Sequence, residues 1–291
     1  MEMKKNVFVN SIPHSGTHLV TALLDQMGYT HTQLFNRIYT RKPFFRRWQR
    51  AGINWRTSTA IGNYLRLFSK DEVLVSVASP RKAKSEVVAN LLSSAKDGEY
   101  IIGHMPYSEE ANKLIQKYIL KTITIIRDPR DMALSMLSHI RERPSHMAHI
   151  YLYSQLKTDH ERLIAIVNGY DNQFGSLVGL EAMYRSMLSW GNQSGCILLK
   201  FEDLVGEQGG GDNAIQYDVV KSVINHLELV GEMSDEKILA MGFESFGKTT
   251  TFRKGQIGKW NDLLDERDKA LFKDALNNLL VELNYETGSD W

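Results

Sequence analysis

Between Val7 and Met27 the chain commits itself to a strand, a tight turn and a helix. Val7-Phe8-Val9 is a short apolar run ending in Ser11-Ile12-Pro13-His14-Ser15-Gly16-Thr17. Leu19, Val20, Leu23, Leu24 and Met27 then recur at helical spacing, with Gly28 placed to cap. A buried strand that runs straight into such a turn and then a helix leaves the backbone N–H groups of the turn and first helical turn pointing outward, where the helix dipole favours an anion. Gly16 permits close approach, and Ser15 and Thr17 bring hydroxyl donors. On these residues the turn reads either as a phosphate-binding loop or as an ordinary strand–helix connection. The ATPase loop signature Gly-x-x-x-x-Gly-Lys-[Ser/Thr] is absent.

The same alternation continues. Val73–Val77 is an apolar run, and Ala83–Ala95 has helical spacing. Tyr100–Ile102 reads as a short strand ending at Gly103-His104-Met105-Pro106. Lys121–Ile126 is β-branched and strand-like, and it meets Asp128-Pro129, an N-cap followed by proline at the first helical position, which predicts a helix to about Arg141. In the second half, the segments around Ile150–Val167, Leu180–Trp190, Ala214–Leu229 and Leu263–Leu283 carry helical spacing around one strand, Cys196–Phe201. Gly209-Gly210-Gly211 reads as a flexible surface loop, and Glu244–Asp262 has no clear period. The pattern predicts a single α/β domain over residues 1–291, a parallel sheet with helices on both faces.

The chain has 291 residues, 43% hydrophobic and 24% charged. That balance excludes collagen-like, low-complexity and disordered classes, and the length allows a sizeable core. One cysteine, Cys196, excludes an intramolecular disulfide and fits a reducing compartment. No apolar run approaches the roughly 20 residues that span a bilayer, and Val7–Val9 is too short for a signal-peptide core, so a cytoplasmic chain is expected. Net charge is +1, yet residues 1–70 hold 11 Lys/Arg against 2 Asp/Glu. This asymmetry points to an anionic partner.

Two further segments carry chemistry. Arg127 follows a strand, so it is expected on the sheet edge where open parallel sheets bind ligands, with Ser135 eight residues on in the following helix. Read alone, a capped helix whose arginines pair with local carboxylates explains these residues as well. Thr251-Phe252-Arg253-Lys254-Gly255-Gln256-Ile257-Gly258-Lys259-Trp260 sets two adjacent cations before a glycine. That is the pattern of a loop closing over an anion, or of a solvated basic turn.

In this order the segments resemble the sulfotransferases that use 3′-phosphoadenosine 5′-phosphosulfate (PAPS). That family carries Pro-Lys-Ser-Gly-Thr after its first strand, an Arg and a Ser eight residues apart, and Arg-Lys-Gly-x-x-Gly-x-Trp near its C-terminus. The resemblance implies a P-loop-kinase-like fold and PAPS as cofactor, with 3′-phosphoadenosine 5′-phosphate (PAP) as product. It implies that Pro13, His14, Ser15, Gly16, Thr17 and His18 meet the 5′-phosphosulfate. Arg127, Ser135, Arg253, Lys254 and Gly255 would meet the 3′-phosphate, and Phe243 the adenine. His104, in a His-x-Pro setting, is implied as general base. A small-molecule acceptor is implied as partner, with no nucleic acid and no metal.

The sequence also departs from that family. The loop lysine is His14, and His14 is expected to donate to the bridging oxygen in its stead. Ile102 stands where the cytosolic branch often has Lys, Leu19 replaces its stacking aromatic, and Phe201 replaces the Tyr before Glu-Asp. His139, His146 and His149 lie close in sequence without a completing carboxylate or thiolate set for a metal. The basic-aromatic segment Arg41–Arg56, within residues 35–70, reads as a substrate-side insertion, a membrane-surface contact or an ordinary amphipathic surface. A glycan or lipid acceptor, a small-molecule kinase and a catalytically silent PAPS- or membrane-binding protein are the alternatives.

Overall fold

The structure, a computed structural model, describes residues 4–32, 52–53, 55–65, 70–119, 121–229, 231, 233–247 and 255–291. Five strands form one parallel sheet: β1 (Val7–Ser11), β2 (Thr30–His31), β5 (Glu99–Gly103), β6 (Lys121–Ile126) and β9 (Cys196–Lys200), in the order β2-β5-β1-β6-β9. Two antiparallel hairpins stand apart, β3 (Glu72–Leu74) with β4 (Lys82–Lys84) and β7 (Gly169–Asn172) with β8 (Gly175–Val178). The expected single α/β architecture of P-loop-kinase-like type is the one observed.

Strand alternation decides the layers. Val7 and Val9 of β1 pack on one face with Ile123, Ile125 and Leu199. Phe8, Ile101 and Ile126 point to the other. The first face is covered by α1 (Thr17–Gln26), α9 (Asn213–His226) and α10 (Asp235–Ser245), which contribute Val20, Leu24, Val220 and Met241. The second is covered by α2 (Trp55–Leu65), α3 (Ser85–Ser93), α4 (Glu109–Tyr118), α5 (Pro129–Arg141), α6 (Asp159–Asn168), α7 (Leu180–Gly191) and α12 (Glu266–Glu282). Among the described residues, no helix is long and apolar enough to cross a membrane.

β1 lies between β5 and β6, with Asn10 paired to Gly103 and Ser11 to Ile125. The chain first runs outward to β2 and β5, then crosses to β6 on the other side, so the topology reverses at β1. The carboxyl ends of β1, β5 and β6 therefore open side by side, the place where open α/β sheets take ligands.

Several expected boundaries move. Ile150–Val167 is not one helix: a single π turn spans Ile150–Gln155, and Thr158 then starts α6 with a reciprocal capping box to Glu161. The Ala83–Ala95 helix starts only at Ser85, because Lys82–Lys84 is drawn into the β3–β4 hairpin. Phe201 leaves β9 and opens a short helix, α8 (Phe201–Leu204). The triple glycine is not a free surface loop. Gly209 is buried, and a Cβ there would stand 2.5 Å from Val205 Cβ. Its carbonyl accepts the Ile257 N–H at 3.0 Å. Most of residues 35–70 lies outside the described residues. The chain leaves the sheet edge after Thr32, whose N–H bonds the Tyr100 carbonyl, and returns at Ile53, whose N–H bonds the Ile102 carbonyl.

Candidate active site

The turn after β1 is shaped by two residues with left-handed backbone, His14 (φ 73°) and Gly16 (φ 109°). Gly16 caps α1, and the helix geometry leaves the N–H groups of Gly16, Thr17 and His18 without an intrahelical acceptor. The hydroxyls expected to serve a ligand are used differently. Ser15 Oγ lies 2.7 Å from the Ile12 carbonyl and 3.0 Å from that of Ile125, turned into the sheet. Thr17 Oγ1 pairs with Ser11 Oγ at 2.6 Å. The Ser15 N–H also closes the turn on the Ile12 carbonyl. Ser15 and Thr17 side chains thus brace the loop, and the donors left at the helix start are the backbone amides of Gly16, Thr17 and His18. Pro13 is half-buried at the start of the turn, and His18 is an exposed residue of α1 whose pKa is lowered by partial desolvation.

His104 emerges from β5 beside Ser11. Its Nδ1 lies 2.7 Å from the Ser11 carbonyl oxygen, which only accepts, so Nδ1 carries the proton and Nε2 holds the basic lone pair. Burial holds His104 below the ordinary histidine range. The Ser11 bond opposes this, and the charge of His18 adds to it. The backbone around His104 is clamped on both sides. The Val77 N–H donates to its carbonyl at 2.7 Å. Asn10, fully buried, bonds both the carbonyl (3.0 Å) and N–H (2.8 Å) of Met105, and Trp190 Nε1 donates to the same carbonyl.

Arg127 follows β6 on the same edge. Its guanidinium rests 4.5 Å above the Phe201 ring, and that ring also floors Gly16. Nη2 donates to the Gln256 carbonyl at 2.9 Å and reaches Asp131 at 3.4 Å. Nε is buried with no hydrogen-bond partner among the described residues. Asp131 in turn accepts the N–H groups of Gly258 (2.8 Å) and Trp260 (3.0 Å). Burial pushes its carboxyl up and Arg127 pulls it down.

Asp131, Ser135 and His139 recur four residues apart along α5 and so share one face. His139 sets its ring 4.5 Å from that of His14, edge-on, with His146 5.8 Å beyond. Ser135, half-buried, therefore sits on the stripe between the Asp131 anchor and the His14 contact. Among the described residues no group of three or more His, Cys, Asp or Glu side chains is placed to hold a metal.

Gly255 opens the last segment, while Arg253 and Lys254 lie outside the described residues. Gln256 Nε2 donates to the Gln208 carbonyl (2.8 Å), and Gln208 Nε2 donates to the carbonyl of Phe243 (3.2 Å). Phe243 thus neighbours this segment, and its side chain is largely exposed at 63%. Sequence reading missed Asn10 and Asp131, whose roles are contacts with distant backbone. It noted Phe201 only as a departure.

A family model described as "Sulfotransferase domain" matches residues 4–210. Among solved structures, mouse sulfotransferase SULT7A1 complexed with PAP is 14% identical with a TM-score of 0.55, over 95% of this chain and 85% of that one. Retinol dehydratase in a complex with retinol and PAP is 16% identical with a TM-score of 0.50, over 96% and 83%. At these identities the likeness is one of fold. No curated protein sequence matches the chain.

Proposed function

We propose that this chain, which belongs to the sulfotransferase family by its match over residues 4–210, moves the sulfuryl group of PAPS to a hydroxyl or amine of a small-molecule acceptor. The observation that carries the reading is His104. Its Nδ1–H is fixed on Ser11, so its basic Nε2 is presented at the edge where β1, β5 and β6 end.

The residues present fit the cofactor. Gly16, Thr17 and His18 offer N–H groups at a helix N-terminus, suited to a phosphate. The buried Nε of Arg127, without a partner among the described residues, is a donor suited to an acceptor of the kind a phosphate oxygen supplies. Ser135 and the segment from Gly255 complete that side, with Arg253 and Lys254 assigned to the same phosphate on the family motif. Phe243 offers an open ring face for a base.

PAPS supplies an activated sulfuryl group, whose S–O bond to the 5′-phosphate breaks as a bond from sulfur to the acceptor forms. His104 takes the acceptor proton on Nε2 while the Ser11 carbonyl stabilises the resulting imidazolium through Nδ1–H. His14 donates to the oxygen that gains charge on the leaving side, with His139 beside it. Arg127 and the loop amides hold the nucleotide in line.

Incubation with sulfur-labelled PAPS and a panel of alcohol, phenol, amine, glycan and lipid acceptors tests the reading. Label transferred to an acceptor, with PAP formed in equal amount, is the expected result. Binding of PAP without transfer to any acceptor would mark a silent binding protein. Stabilisation by ATP and not by PAP would mark a kinase.

A further inference from the structure

Residues Gln256–Trp260 have no regular structure until Trp260 opens α11 (Trp260–Leu263), so their placement depends on a few contacts. Arg127 and Asp131 grasp the backbone, as described. The Ile257 N–H and Gln256 Nε2 tie it to the carbonyls of Gly209 and Gln208, and a further hold is on the Trp260 side chain. Its indole lies against the guanidinium of Arg130, with Cζ 3.5 Å from the ring centroid. Arg130 is 1% exposed and bonded at each of its three nitrogens: Asp128 accepts from its Nε at 3.0 Å and Nη2 at 2.7 Å, and Glu286 accepts from Nη1. A second indole, that of Trp291, lies 4.3 Å from the same Cζ. The two indoles meet at 86° with centroids 5.3 Å apart, so the guanidinium sits in the corner of two perpendicular rings. Trp291 is itself fixed, its Nε1 donating to Asn277 Oδ1 at 3.0 Å on α12.

We propose that Trp291 is a positioning residue for the nucleotide-binding segment Gln256–Trp260, acting through Arg130 and Trp260. Removing its ring opens one wall of the corner, lets water reach a guanidinium that is otherwise dry, and takes away the edge contact that holds the Trp260 indole. Trp260 and Gly258 then pull against Asp131 with less support, and the Gln256 carbonyl that occupies Arg127 loses its fixed position. Trp291 touches no reacting group. This inference rests on the reading that this edge takes a 3′-phosphorylated nucleotide, but its first readout does not.

Hydrogen exchange on the full chain compares wild type with Trp291→Ala and Trp291→Phe, alongside PAP affinity by calorimetry. Faster exchange confined to residues 256–263, β1, β5 and β6 unchanged, and PAP binding weaker by about tenfold are expected for Trp291→Ala. Trp291→Phe, which keeps a π face on Arg130, should restore most of both. Trp291→Leu, which keeps apolar bulk without a π face, takes the place of the alanine variant if that one does not fold. Exchange that rises equally across the sheet would show ordinary stability and overturn the proposal, as would exchange unchanged in 256–263. If wild type binds no PAP, the functional reading falls, and exchange alone decides the role of Trp291.

Discussion

Phe201 closes the space beneath Gly16: a Cβ added at Gly16 would stand 2.6 Å from Phe201 Cδ2 and 3.1 Å from Ile125 Cδ1. The backbone at φ 109° is also one that L side chains rarely adopt. Since the same ring carries the Arg127 guanidinium, Phe201 joins the loop to the cation, and disturbance at either is felt at both. Gly16→Ala is expected to destabilise the fold by about 1–3 kcal/mol and to weaken PAP binding. Urea denaturation and calorimetry measure the two effects. Adding Phe201→Leu should relieve the steric part and leave the backbone part, and full recovery would mean the φ angle is not limiting.

His104 has its proton on Nδ1 and its pKa lowered by burial, so it is neutral and basic through the neutral range. kcat/KM should rise with pH along an acid limb lying below pH 6.5, the ordinary histidine value. His104→Ala should lower kcat by about 10²–10⁴-fold with PAP affinity nearly unchanged. An equal loss of PAP binding would make His104 a structural residue of the loop.

Glu202 couples pH to stability under the same edge. Its Oε1 accepts the Asp128 N–H at 2.8 Å and its Oε2 accepts the Tyr285 hydroxyl at 2.9 Å, and burial pushes its pKa up to about 7. A folded pKa above the unfolded value means the folded state binds the proton more tightly. The stabilisation from Glu202 is thus complete below the unfolded value of 4.5 and is lost as pH rises through about 7. His104 works in the opposite sense: its lowered pKa costs stability as pH falls below 6.5. Glu202→Gln should remove the first component, so that denaturation curves at pH 5 and pH 8 change relative to one another. An unchanged difference would place the Glu202 pKa near its unfolded value.

How far such a site was legible in the sequence depended on the range of the contact. The strand–turn–helix at Val7–Gln26 and the Asp128-Pro129 helix start were readable because each is set by neighbours in sequence: apolar period, a cap, a proline at its permitted position. His104 was singled out only through a family pattern, since what holds it and Met105, Ser11 and Asn10 from β1 and Trp190 from α7, is 85 to 95 residues away in the chain. Asp131 stands in the first turn of α5, an ordinary place for an acid, and its partners lie 127 and 129 residues on. The triple glycine was read as slack because its requirement is a distant backbone passing close, at Gly255 and Ile257. Ser15 and Thr17 were assigned to a ligand because a hydroxyl in a turn carries no mark of which way it faces.

The buried Nε of Arg127 has no partner among the described residues, while its Nη2 is occupied by Gln256. PAP at a hundred times Kd should stabilise the fold by about 2.7 kcal/mol. Arg127→Ala should weaken PAP by about 10- to 100-fold, the range for charge-assisted bonds. Thermal shift and calorimetry test this. PAP affinity retained in Arg127→Ala would mean that the guanidinium serves only to anchor the Gln256 segment.

His14 is the residue where the loop departs most from its family, and the structure gives it a neighbour in His139 at 4.5 Å. A lysine at this point is charged throughout the working range, whereas an imidazole changes charge near neutrality. The oxygen between phosphate and sulfur gains negative charge as the bond breaks, so a donor there stabilises the transition state more than the bound reactants. Neutral His14 still donates one hydrogen bond, and protonated His14 donates with a full charge. The need for a charged His14 then opposes the need for a neutral His104, and the pH–rate profile should be bell-shaped, with His104 on the acid limb. His14→Ala should lower kcat by about 10²–10³-fold, the cost of one such donor. His14→Lys should keep kcat and extend activity on the alkaline side. His139→Ala should lower kcat when His14 is present and have little effect beside His14→Lys, because a contact acting through His14 cannot add to its replacement. Near-normal kcat and an unaltered pH profile in His14→Ala would assign the donor to another cation.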